Sequence, residues 1–308
     1  MRLDNLFWAV LEPARTKGPP QLRGLLHWRT LIVYKRFRTS EWILVAYCLY
    51  VAVAAMAFSL PTDTIARAWL VLAGEVAIIA ILARPAFHYA RDWVPLLLLL
   101  TAYRQMDWFS AADKPRHLEQ QWQAWDQRFF FDAGFQRWIE VAGPVLPWVL
   151  EFAYLLVYGI GAFSLAAFYF GHQRRRIDQF LTVYLAGTLI AYALFPYYPS
   201  DPPRVVFPGI DFPHYITVVR RLNLALVGGY GIHSSVFPSA HVSSAFSAAW
   251  GLLRFLPEYR WAGWTMLCYA IVVSVATVYG RYHYGADAVA GFAVSLVALV
   301  LAVRIRVD

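Results

Sequence analysis

Eight apolar runs constrain this chain more than any other feature. They lie near 41–60, 64–83, 92–108, 148–170, 177–196, 239–256, 261–280 and 285–303. Each approaches the length needed to cross ~30 Å of hydrocarbon. In lipid, every backbone N–H and C=O must be satisfied within its own segment, so runs of this kind fold as helices. The expected fold is an all-α, polytopic membrane helix bundle with about eight transmembrane helices. Composition agrees: 60% of the 308 residues are hydrophobic and 15% are charged, against about a quarter charged in soluble domains. The 13 Trp and 19 Tyr suit aromatic belts at the two interfaces. A net charge of +8 would suit nucleic acid, but the basic residues gather in turns between apolar runs, which excludes that reading. Cys48 and Cys268 fall inside predicted spans and offer neither a disulfide framework nor a metal-ligand spacing.

The chain divides into a basic interfacial segment, 1–40, and an integral-membrane domain, 41–308. Pro13, Pro19 and Pro20 interrupt the first segment, so it does not read as a cleavable signal peptide. From Leu22 to Arg38, apolar and basic residues mix as in a helix lying on an anionic leaflet; a basic tail that only sets topology fits equally. Between spans three and four, Trp122, Trp125, Phe129, Phe130 and Trp138 stand among charges, a pattern for helices in the interface. With eight spans and the N-terminus inside, the short turns at Arg84 and Arg91, Arg174 to Arg176, and Arg254 and Arg260 all face the cytoplasm. Both termini are then cytoplasmic, in a cytoplasmic membrane. Asp63, Glu75, Glu151 and Asp178 lie in or near spans and receive no role from the sequence.

Two short polar segments sit at the mouths of spans. One is Phe237-Pro238-Ser239-Ala240-His241; the other runs from Arg281 to Asp287. Pro238 and Ser239 read as a helix start with Ser239 as N-cap. The unpaired amides around Ser239 and Ala240, at the positive end of a helix dipole, suit a phosphate. His283 and Asp287 are four apart and share a face if helical. A carboxylate there accepts the Nδ1 proton and leaves Nε2 as a nucleophile or base. Tyr197-Tyr198-Pro199-Ser200-Asp201-Pro202-Pro203-Arg204 forms a stiff approach that can hold Arg204 over the same site. Gly228, Gly229 and Gly231 permit tight backbone geometry, but no Lys-Ser/Thr follows, as a phosphate loop needs. Ser243 and Ser247, in a span rich in small residues, read as packing positions.

Pro-Ser-x-His followed some forty residues later by Arg-x-His-Tyr-x-x-Asp resembles the type-2 phosphatidate phosphatase superfamily of membrane phosphatases and phosphotransferases. Within it the chain is most similar to the inositol-phosphorylceramide-synthase-like branch. The resemblance covers roughly 180 to 304, within a motif-bearing core of about 177–304. It implies a six-helix phosphatase-type core with one cleft on the outer face. It also implies a membrane lipid phosphate or diphosphate as substrate, with or without a hydroxylated acceptor. In that scheme His283, oriented by Asp287, attacks phosphorus, and His241 protonates the leaving alkoxide. Arg204, Arg281, Ser239 and Ala240 hold the non-bridging oxygens. No cofactor and no metal enter it. Hydrolysis to free phosphate and transfer of a head group to form a phosphodiester both fit.

The chain departs from the superfamily pattern at Tyr197 and Thr277, where a Lys and an Arg are usual, and Arg204 is followed by Val205. On a regular helix a residue two before His283 faces away from it. Arg281 therefore joins the site only if the helix starts at about His283. Fewer cations favour a singly charged phosphodiester. A metal site from His233, His241, His283 and Asp287 is a rival chemistry. A non-catalytic lipid-binding protein is the rival without chemistry.

Overall fold

The computed structural model describes residues 37–304 except residue 112. The basic helix read over 22–38 falls almost wholly outside the described residues. Every regular element among those described is helical. In chain order they are α1 (Thr39–Ala57), α2 (Thr62–Leu82), α3 (Ala90–Gln105), α4 (His117–Asp126), α5 (Phe135–Glu140), α6 (Val145–Leu155), α7 (Ile160–Phe170), α8 (Ile177–Leu194), α9 (Pro203–Val206), α10 (Val218–Tyr230), α11 (Ala240–Phe255), α12 (Arg260–Tyr279) and α13 (Gly285–Arg304). A 3₁₀ turn, Leu156–Gly159, joins α6 to α7.

Among the described residues, six stretches are long and apolar enough to cross a membrane: Thr39–Ala57, Thr62–Leu82, Val145–Phe170, Arg174–Tyr197, Pro257–Tyr279 and Gly285–Arg304. Two of the eight expected spans fall short of that measure. Both are helical, but α3 and α11 have 16 residues each. Their composition has different causes. Asp92, Arg104 and Gln105 lower the apolarity of α3. By contrast, α11 is enclosed by α8, α12 and α13, so its small and hydroxylated residues face protein, not lipid.

The centre of the bundle is the contact of α11 with α8. Ser243 Oγ donates to the Gly187 carbonyl at 2.8 Å, and a Cβ on Gly187 would collide with Ser247. This glycine permits a close backbone approach that any side chain would prevent. The first three helices pack onto the core through α1 against α8, and α6 packs against α12.

The two ends of the bundle differ in chemistry. At one end, basic turns are tied to acidic helix starts: Arg38 and Arg174 reach opposite oxygens of buried Asp92 at 2.6 Å each, and Arg91 pairs with Glu41. Asp178 caps α1 through the amides of Thr39 and Ser40, and Arg176 pairs with Glu258. At the other end lie the polar segments 197–237 and 280–284. The first of these, read as one long loop, contains α9 and α10. Thr217 caps α10 by accepting from the Arg220 amide at 3.0 Å. Gly228 and Gly229 lie within that helix and so form no phosphate loop.

Gly187→Val is expected to destabilise the protein by ~1–3 kcal/mol through overpacking, read as a lower thermal midpoint in detergent. Adding Ser247→Gly should recover part of the loss. An unchanged midpoint for Gly187→Val would show that α8 and α11 are not packed this closely.

Candidate active site

Polar residues carried by α9, α11 and the turn before α13 meet in one cavity of about 730 Å³, which Arg204, His241 and His283 line together. Its geometry begins at the end of α12. Arg281 adopts a left-handed backbone, φ 59°, unusual for a residue with a Cβ. The amides of Tyr282 and His283 both turn back to the Thr277 carbonyl, at 3.0 and 3.1 Å. His283 therefore precedes the helix, and α13 begins at Gly285. The four-residue spacing still brings the pair together, because Asp287 Oδ2 accepts from the Tyr284 amide at 2.9 Å and lies 3.2 Å from His283 Nδ1.

Ser239 caps α11 as the sequence indicates, with its hydroxyl accepting from the Val242 amide. Its own amide donates to the Asp287 carbonyl at 2.9 Å. That bond fixes the start of α11 against α13 and sets His241 Nδ1 3.3 Å from His283 Nε2. With Nδ1–H of His283 directed at Asp287, Nε2 carries the lone pair and His241 Nδ1 is the donor. Burial and the nearby Arg204 guanidinium push the His283 pKa down to about 3, so its imidazole is neutral in the physiological range. Ala240 and His241 occupy the first turn of α11, where amides have no acceptor within the helix.

Three arginines approach Tyr282 and its turn, and they differ in their partners. Arg220 pairs with Glu151 at 2.6 Å, and Glu151 also accepts from Asn223 and the Tyr282 hydroxyl. Arg281 is fully buried, held by Asp126 at 3.4 Å and by Gln123. It does not line the cavity with the histidines, so the structure does not bring it to the expected phosphate position. Arg204 lies over the Tyr282 ring at 5.3 Å, and no carboxylate reaches it among the described residues. Its amide donates to the Arg281 carbonyl, which ties the Pro-Pro-Arg segment to the His283 turn. His233 is exposed and sits 3.4 Å from Asp107, outside the cavity.

The aromatic residues Trp122 and Trp125 mark interfacial helices in the sequence but assign α4 no part in the site. Glu119, Trp122, Gln123 and Asp126 fall at i, i+3, i+4 and i+7 of this helix, and each reaches a different part of the site. Glu119 accepts from the Asp201 amide at 2.6 Å; Trp122 stacks on Phe237 at 4.9 Å. Gln123 bonds Arg281, and Asp126 accepts from the Gly285 amide at 2.9 Å, capping α13. The helical spacing of those four residues was the available signal. Tyr154 was also missed: it stacks on Tyr282 with ring centroids 3.9 Å apart and packs against His241 at 5.1 Å.

The profile of the PAP2 superfamily matches residues 120–301. The chain belongs to the PAP2 superfamily. It is an integral membrane protein of phosphatase-type family. It is also similar to a PA-phosphatase related-family protein of Dictyostelium discoideum, 26% identical over 136 residues, which are 41% of this chain and 23% of the relative. The match thus spans under a quarter of that relative's length. No solved structure matches the chain. The family match includes α4 from Gln120 onward and all three motif segments, and excludes α1, α2 and α3.

An anion in the cavity would raise the His283 pKa from about 3. Between the free and the bound values, binding then takes up a proton. Affinity for sulfate, which remains a dianion in this range, should therefore tighten as pH falls through the bound value toward about 3, by at most ~tenfold per unit for this one proton. Calorimetry would measure it. A profile flat down to about pH 3 would mean that the anion does not face His283.

Proposed function

We propose that this protein is a membrane lipid phosphatase or phosphotransferase working through a phosphohistidine on His283. The observation that carries the reading is a largely buried guanidinium, Arg204, sharing one cavity with two histidines and having no carboxylate partner among the described residues. A cation removed from water requires an anion. Here the anion would lie against a neutral imidazole nucleophile and the amide end of α11, an arrangement for holding and transferring a phosphoryl group.

His241 first swings off His283, since the 3.3 Å contact leaves no room for phosphorus between them. His283 Nε2 attacks phosphorus, and the bond from phosphorus to the leaving alkoxide breaks. That oxygen takes the electron pair and a proton from His241, which enters the step as an imidazolium, favoured by the bound anion, and leaves it neutral. Asp287 stabilises the positive charge that develops on His283. Water, or the hydroxyl of an acceptor, then gives its proton to His241 and attacks phosphorus. The N–P bond breaks and its electron pair returns to Nε2. Arg204 and the amide of Ala240 are the groups assigned to the non-bridging oxygens; the Ser239 amide, expected to join them, is instead spent on the Asp287 carbonyl. The basic turns at the opposite end of the bundle support placing the site on the outer face of the cytoplasmic membrane.

A second reading, head-group transfer, has its own support. Arg220 and Arg281 are held by Glu151 and Asp126, so Arg204 supplies the local positive charge. One cation matches a singly charged phosphodiester better than a phosphomonoester dianion.

Purified protein would be incubated with a panel of lipid phosphates and diphosphates, with and without inositol, sugar and ceramide-like acceptors, and products read by mass spectrometry. His283→Ala should lose at least ~10³-fold in kcat. Free phosphate without acceptor marks a phosphatase; a new phosphodiester only with acceptor marks a transferase. No turnover, with equal lipid binding by wild type and variant, would leave a non-catalytic lipid-binding protein.

A further inference from the structure

The cavity that holds the histidines does not end with them. Its guanidinium and imidazole groups, Arg204, His241 and His283, are confined to one end, and from there it continues, lined by apolar side chains and a few hydroxyls such as Tyr184 and Thr188, between α3, the α6–α7 segment and α8. Both Tyr103 and Ala90 line it, so it follows α3 for thirteen residues, about 20 Å at the helical rise. Tyr103 marks the histidine end, since its hydroxyl accepts from the Ile232 amide at 3.1 Å. Ala90 and Trp93 mark the far end, beside the basic turns where Arg174 meets Asp92. One leaflet of hydrocarbon is about 15 Å deep. The groove therefore runs past the bilayer mid-plane. Its flank is open: Leu97, Leu100 and Tyr158 line it and are more than half exposed to the lipid side.

We infer that this groove holds the substrate's own apolar chain, which descends from the phosphate past the mid-plane between α3 and α7. The inference rests on the phosphoryl-transfer reading of the histidine end. It adds the substrate class: a lipid phosphate with at least one chain long enough to extend about 20 Å from its head group. The continuity of a single cavity makes head and tail parts of one ligand. The open flank lets a chain slide in sideways from the bilayer while its head group stays in water. Hydrophobic transfer does not drive that step, because the chain is in hydrocarbon before and after. The groove selects by shape, and α3, outside the matched family region, supplies one wall. Gly161 lets α7 touch α3 beside the groove, where an added Cβ would meet Leu96 at 2.7 Å.

The probe is hexadecyl phosphate with a diazirine at its methyl end, mixed with full-length His283→Ala protein in phosphatidylcholine vesicles, irradiated and mapped by peptide mass spectrometry. Labels are expected at 93–97 and 161–162, about tenfold above those at lipid-facing Leu70 and Val289. Ala162→Trp, which fills the groove part-way, should remove most of the deep labelling. Equal or dominant labelling at Leu70 and Val289 would overturn the inference. Wild-type turnover is assayed in parallel on hexadecyl phosphate without the diazirine. Deep labelling with no turnover under any condition would overturn the reaction and keep the groove. Turnover with peripheral labelling alone would overturn the groove and keep the reaction.

Discussion

Asp287 joins the two halves of the site. Its carbonyl receives the Ser239 amide, and its carboxylate receives the Tyr284 amide and faces His283 Nδ1. One residue thereby sets the start of α11, the start of α13 and the tautomer of the nucleophile. The carboxylate is fully buried, and its second oxygen has no hydrogen-bond partner. A buried carboxylate left half satisfied is expensive unless its partners are held rigidly. Much of the surrounding structure supplies that rigidity. Gly291 lets α13 approach the Ser239 carbonyl where any side chain would collide, and Asp126 caps α13 from outside the bundle.

The amphipathic helix α4 explains how loops far apart in sequence keep a common geometry. A single face of two turns grips the segment before Arg204, the segment before His241 and the turn before His283. Lys114, just ahead of α4, adds a 2.6 Å contact with Asp201. Interfacial helices of this kind bury one face and leave the other to head groups. Here the buried face is polar as well as aromatic, because it meets exposed backbone amides at helix starts and not lipid. The tyrosines form a second support: Glu151 and Arg220 hold Tyr282, Tyr282 stacks on Tyr154, and Tyr154 packs against His241.

The fold class was legible because lipid allows few alternatives. Apolar runs of adequate length had to be helices, and each of the eight is helical. What the runs could not show was which of them face lipid. The composition of α11 reflects enclosure by neighbouring helices, and that of α3 reflects Asp92, Arg104 and Gln105 at its ends. The proximity of His283 and Asp287 was legible from their spacing, although the reason differs: the pair meets across a helix start, with His283 outside the helix. Arg281 shows the limit of motif reading. Its left-handed backbone turns the side chain to Asp126, and the distance along the sequence, 155 residues, kept that partner out of view. The contacts of α4 were hidden for the same reason, since only a fold brings Glu119 to Asp201 and Trp122 to Phe237.

The distribution of arginines turns this geometry into a claim about chemistry. Arg220 and Arg281 are matched by carboxylates and brace the turn, while Arg204 faces the histidines. The most direct test is chemical trapping with a phosphate-labelled lipid substrate, quenched under alkaline conditions and mapped by mass spectrometry. An acid-labile phosphoryl group is expected on the Nε2 atom of His283, absent from Asp287→Asn protein quenched at the same early time. A label on His241, or rapid turnover with no phosphohistidine at any time point, would contradict it.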